Sequence, residues 1–139
     1  MQEKTLLLSL RPTFADLVFA GVKTVELRRS RPRVRDDDWA LVYVSTPIKA
    51  VVGVIQVAAI IENKPSTLWR KVRKRAGITR RQFDEYYVGA PMAYGIVLNA
   101  VERFRKPVEL NHIREVWPDF QPPQSYRYLD MRQRRLIRR

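Results

Sequence analysis

Gly21-Val22-Lys23-Thr24-Val25-Glu26-Leu27-Arg28 is the stretch from which the rest of the chain can be read. Thr24 to Arg28 alternates strictly, with Val25 and Leu27 on one face and Thr24, Glu26 and Arg28 on the other, the period of a β-strand. Upstream, Phe14, Leu17 and Val18 recur at helical spacing, and Thr13 is placed to cap that helix with Asp16 three residues on as a near capping box. Gly21 can end the helix in a left-handed conformation. Before it, Thr5 to Leu10 reads as a first strand.

Downstream, Arg29 to Arg35 is a basic loop and Asp36-Asp37-Asp38 a polar turn. Adjacent carboxylates in a run rarely converge on one ion, so no metal site is expected there. Trp39 to Val44 and Ala50 to Ile61 are strands rich in Val and Ile. Ser66 is read as the cap of a helix carrying Leu68, Trp69 and Val72 up to Gly77, and Thr79 with Gln82 forms a capping box for the next, ending near Gly89. Ala93 to Phe104 is a strand, Pro107 to Leu110 a short one, and Asn111 caps a short helix through Glu115. Trp117 to Asp130 reads as an ordered loop rich in Pro and aromatics, and Met131 to Arg139 as a basic tail of helical character. About five strands interrupted by short helices do not alternate as in a parallel α/β sheet. The expectation is an α+β domain, residues 1–130 followed by the tail 131–139, with a small mixed or antiparallel sheet curled or closed into a barrel and short flanking helices.

A chain of 139 residues can bury its own core as one domain. With no Cys, disulfides, thiolate metal sites and a Cys nucleophile are excluded. The apolar run at Thr5 to Leu10 is too short for a signal peptide, no stretch reaches a membrane span, and a cytoplasmic location is expected. Lys and Arg number 27 against 14 Asp and Glu, a net charge of +13, and a field of this sign draws polyanions. Arg outnumbers Lys, which favours bidentate grips on phosphate and stacking on bases.

Leu7-Leu8-Ser9-Leu10-Arg11-Pro12, then a helix, then the Gly-x-Lys-x-x-Glu-x-Arg segment Gly21 to Arg28, resemble the signature of the ASCH family. Tyr43 to Pro47 and Val52-Gly53 resemble its next two strands, and Pro122-Pro123-Gln124-Ser125-Tyr126-Arg127-Tyr128-Leu129 a stand-alone prokaryotic branch. The resemblance runs from about Leu6 to about Asp130. It implies a PUA-like β-barrel with a cleft beside the first helix, in a superfamily of RNA-binding and modified-base-binding modules. Some ASCH members it implies are hydrolases of acylated cytidine or ribonuclease-like proteins.

The candidate site follows. Arg11, Lys23 and Arg28 can form a phosphate clamp, and Glu26, with Thr24 beside it, can accept from an exocyclic amine or orient the cations. If the protein is an enzyme, Lys23 and Glu26 are the catalytic candidates. Ser45 and Thr46, at a strand end, can donate to a ligand. In the late loop Trp117, Ser125, Tyr126 and Arg127 are ligand candidates by stacking and hydrogen bonding, with Phe120 assigned to the core. Trp39 and Trp69 are assigned mostly to packing. Lys71, Lys74, Arg75, Arg80 and Arg81 form a second basic patch suited to peripheral phosphate contacts. His112, the only His, has no nucleophile pattern around it.

The expected function is binding of RNA, single-stranded or structured, or of a nucleotide-like ligand, with no cofactor, no metal and no membrane partner. The alternatives are a hydrolase of RNA or of a modified nucleoside, and a DNA-binding regulator using the central helices, duplex DNA being the weaker partner. For the acylcytidine branch, Lys23 matches the implied Lys, but Glu26 stands where that branch carries Thr, and no Glu occurs around Ala76 and Gly77; Glu85 is the nearest one downstream.

Overall fold

The computed structural model describes residues 4–137. Six strands form one sheet in the order β2-β5-β4-β3-β1-β6. They are β1 (Thr5–Leu10), β2 (Val25–Arg28), β3 (Trp39–Val44), β4 (Ala50–Asn63), β5 (Ala93–Glu109) and β6 (Tyr126–Leu129). The helices are α1 (Pro12–Phe19), α2 (Pro65–Val72), α3 (Arg80–Tyr86), α4 (Leu110–Val116) and α5 (Met131–Leu136). β1 and β3 run parallel, and every other neighbouring pair is antiparallel. The fold is therefore mixed α+β, as expected.

The sheet curls into a half-barrel. β2 and β6 are opposite ends of the strand order, yet Arg28 on β2 donates to the Ser9 carbonyl at 3.4 Å and to the Ser125 hydroxyl at 2.6 Å, just before β6. Side chains thus tie together two edges that backbone hydrogen bonds do not join.

Three apolar clusters hold this shape. Leu6, Leu8, Leu10, Val42, Val44 and Ile55 face α1 inside the curl. Leu7, Leu41, Val51, Ile113, Phe120 and Leu129 lie on the other face under α4 and the late loop. Val25, Leu27, Leu68, Val72, Phe83 and Tyr87 join β2 to α2 and α3. β1 supplies both of the first two clusters because its successive side chains alternate between faces that are each covered.

Several local expectations are corrected. Thr13 and Ser66 do not cap α1 and α2: Arg11 and Lys64 do, because Pro12 and Pro65 take the first helical position, where a missing N–H costs nothing. α4 likewise starts two residues earlier than expected, with Glu109 rather than Asn111 at its cap. The Thr79–Gln82 capping box is present, with Gln82 N donating to Thr79 Oγ1 at 3.1 Å and Thr79 N donating to Gln82 Oε1 at 2.9 Å. The two strands expected at Ala93–Phe104 and Pro107–Leu110 are one, Ala93–Glu109, with Leu110 opening α4, since the ladder shifts register between Val51 and Gly53 and a bulge of β5 absorbs Pro107. The late loop contains β6, a sixth strand. Trp39 is 41% exposed rather than packed. The segment expected as a tail forms α5, capped by Asp130, and Ile137 after it is buried in the outer cluster, while Arg138 and Arg139 lie outside the described residues.

Candidate functional site

β2 is short and buried on both faces. Val25 and Leu27 go to the helices, as their alternation predicts. The polar face, expected to carry the candidate site, is closed over by the curl of the sheet, so Glu26 and Arg28 are 7% and 6% exposed and Lys23, just before the strand, is 3%. The three form one chain of charge. Arg28 meets Glu26 Oε2 at 2.6 Å, and Lys23 Nζ lies 3.6 Å from Glu26 Oε1. Lys23 also donates to the Ala76 carbonyl and sits 5.5 Å from the centre of the Phe14 ring. Burial pushes the Lys23 ammonium below its ordinary value; Glu26 opposes that shift and Arg28 adds to it.

These residues line a cleft of about 540 Å³. Ser9, Leu10, Arg11 and Phe14 form the wall on the β1–α1 side, with Gln124 beside them. Ile78, Gln82, Glu85 and Tyr86 form the α3 side. Arg11 is exposed at the start of α1, where the first backbone N–H groups and the helix dipole favour anions. Burial raises the Tyr86 phenol above its ordinary value, although its ring is 38% exposed. The Arg28 guanidinium also donates to the Ser125 carbonyl at 3.3 Å, and its Nε is buried with no partner among the described residues.

Of the residues singled out in the sequence, the structure gathers Arg11, Lys23, Glu26 and Arg28 into the cleft, with Ser125 bonded directly behind Arg28. It places the others elsewhere. Thr24 Oγ1 accepts from Arg75 Nε at 3.2 Å, outside the cleft lining. Ser45 and Thr46 belong to the turn after β3, where Ser45 O accepts from Ile48 N. Trp117 packs on Phe120 at 4.8 Å, and Arg127 stacks over it at 5.1 Å, both with the outer cluster. Tyr126 packs on the inner cluster with its hydroxyl 2.9 Å from Ser30. His112 is exposed, 3.3 Å from Glu115, and not part of the cleft. Asp38 accepts from Arg35 N within a turn, and among the described residues no three His, Asp or Glu side chains gather as a metal set. Sequence reasoning missed Ser9, Phe14, Ile78, Gln82, Glu85, Tyr86 and Gln124. Gln82, Glu85 and Tyr86 share one helical face, a spacing that could have found them.

Where the acylcytidine branch would need a Glu, around Ala76 and Gly77, the Ala76 carbonyl lies against Lys23 instead; Glu85 stands on the cleft wall. No helix among the described residues is long and apolar enough to cross a membrane.

The family model "ASCH domain" matches residues 8–107. An "ASCH domain-containing ribonuclease" of Zymomonas mobilis is 32% identical over 126 residues, covering 91% of this chain and 84% of that protein. The large ribosomal subunit protein uL22 of Ureaplasma parvum is 28% identical over 91% of this chain but only 39% of its own length. Among solved structures, ASCH from Zymomonas mobilis superposes with a TM-score of 0.88 at 30% identity, covering 96% of this chain and 92% of that one. The N-terminal domain of Staphylothermus marinus McrB shares the fold, with a TM-score of 0.60 at 10% identity over 96% of this chain and 92% of that one. The curled sheet, the order of its motifs and these matches agree on the ASCH/PUA-like fold, and the chain belongs to the ASCH domain family.

Proposed function

We propose that this protein binds single-stranded RNA across the cleft and cleaves it. The observation that carries the reading is the Lys23–Glu26–Arg28 chain, buried yet lining an open cleft large enough for a nucleotide. Burying three ionisable groups costs stability, and a lysine whose charge burial disfavours, set in a cleft, is a functional-site candidate. The ribonuclease name of the Zymomonas mobilis relative supports RNA as the substrate.

The chemistry needs the ribose 2′-hydroxyl, which also separates RNA from DNA. The 2′-oxygen gives up its proton to a base and attacks the adjacent phosphorus. The P–O5′ bond breaks and the 5′-oxygen takes a proton, leaving a 2′,3′-cyclic phosphate and a 5′-hydroxyl. Lys23, whose ammonium burial disfavours and which lines the cleft, is the group suited to move that proton. Arg28 and Arg11 are placed to hold the charge that builds on phosphate, and Glu26 orients the two buried cations.

A second reading, binding without cleavage, is favoured by Glu26 having each of its oxygens against a cation, as in an orienting network. End-labelled single-stranded RNA decides between them. Cleavage is expected at internal bonds with cyclic-phosphate ends, falling about 10²–10⁴-fold in Lys23→Met. Intact RNA that binds wild type and loses affinity for Lys23→Met leaves the binding reading standing. Intact RNA with no such loss overturns both.

A further inference from the structure

One side of the cleft continues into a second surface. The link between α2 and α3 is stitched to the start of β2: Thr24 N and Val25 N donate to the Arg75 carbonyl at 2.9 and 3.2 Å, and Lys23 donates to the Ala76 carbonyl. Residues 64–75 carry Lys64, Arg70, Lys71, Arg73, Lys74 and Arg75 with no Asp or Glu among them, and all six are exposed.

The structure divides the basic residues of α2 and α3 into two kinds. Arg80 is paired with Asp84 at 3.1 Å and Arg81 with Glu85 at 3.6 Å. Among the described residues, Arg70, Lys71, Arg73 and Lys74 have no carboxylate within ion-pair distance. Arg70 and Lys71, in the last turn of α2, and Arg73, at its C-cap, answer the helix dipole; Lys74 lies past the cap. The apolar side of α2, Leu68 and Val72, is used up in the core. What remains outside is a dense row of like charges whose mutual repulsion a chain of phosphates relieves.

Resting on the reading that the cleft takes a nucleotide of a single strand, we infer that the rim from Arg70 to Arg75 holds the phosphates of that strand where it leaves the cleft. The cleft then engages the nucleotide and its bond, and the rim holds the flank without reading its sequence. Affinity rises with strand length, and the gain is lost at high salt.

The test measures binding of a fluorescent RNA 12-mer and of a dinucleotide at several salt concentrations. Lys71→Gln/Arg73→Gln/Lys74→Gln is compared with Arg132→Gln/Arg134→Gln/Arg135→Gln on α5, which removes the same charge elsewhere. The rim triple is expected to lower the 12-mer's log–log salt slope by about 2, three contacts at about 0.7 each, and to leave the dinucleotide unchanged. The α5 triple is expected to move the slope much less. Lys74→Glu alone, at an exposed position, lowers the slope by about 0.7, the share of one contact. Equal effects of the two triples, or an unchanged slope in the rim triple, overturn the proposal. Lys23→Met separates it from the cleft reading: unchanged binding of both ligands by that variant defeats the cleft, whatever the rim triple does.

Discussion

Lys23 shows how one residue takes on chemistry that its type does not announce. On the surface it would be an ordinary solvated ammonium; at 3% exposure, desolvation works against its charge. Its folded-state pKa lies below that of the unfolded chain, so between that lowered value and about 10.5 the unfolded state binds more protons than the folded one. Stability from this residue therefore rises with pH across that window and is lost again as pH falls through the folded pKa. Urea denaturation of wild type and Lys23→Met from pH 8 to 10.5 is expected to show the difference moving steadily in favour of wild type. The raised Tyr86 and Tyr87 phenols act in the opposite sense above about pH 10, but they are common to both proteins and cancel in the difference. A pH-independent difference would show that Lys23 stays charged in the fold.

At the scale of elements, helix ends and bulges decide what positions the site. α3, which carries Gln82, Glu85 and Tyr86, starts at a reciprocal capping box. Thr79→Ala is expected to cost about 1 kcal/mol, whereas Ser66→Ala, at a residue that looks like a cap but is not one, stays within about 0.5 kcal/mol by chemical denaturation. Gly53 sits where the β4–β5 ladder shifts register, and a Cβ there would meet the Glu102 carbonyl at 2.3 Å and the Phe19 ring at 2.9 Å. The carbonyl is backbone and cannot step aside. Gly53→Ala is expected to lower stability by about 1–3 kcal/mol, read from the denaturation midpoint. The capping box and the first four strands were legible from residue type and period; β6 was read as loop and β5 as two pieces. The Pro12 and Pro65 starts were legible too, since proline at the first helical position is a stronger signal than a hydroxyl one residue later.

For the whole molecule, the decisive contact is Arg28, which reaches across the open side of the curled sheet to Ser9 and Ser125 while pairing with Glu26. Arg28→Ala both opens that closure and leaves Glu26 with Lys23 alone, and a loss of about 3–5 kcal/mol is expected in urea. Arg28→Lys is expected to recover little of it, because one ammonium cannot span the three partners that a planar guanidinium serves. Recovery of wild-type stability by the lysine would show that charge alone, not the bridging geometry, matters here.

Length, charge and periodicity by themselves determined that the chain is an α+β domain with a net positive charge, and the Gly21 to Arg28 segment carried its family and three of the charged cleft residues. These are local properties, written in neighbouring residues and in totals. Which polar residues share one site was decided only by the tertiary structure. Ser125 and Arg28 are 97 residues apart, and nothing in either segment states that the sheet curls to join them. Tyr126 and Arg127 follow Ser125 in the chain yet leave the cleft, since alternation along β6 sends Tyr126 to the inner cluster and Arg127 over Trp117 on the other side. The same curl made the polar face of β2 the buried floor of the cleft, where burial disfavours the Lys23 charge.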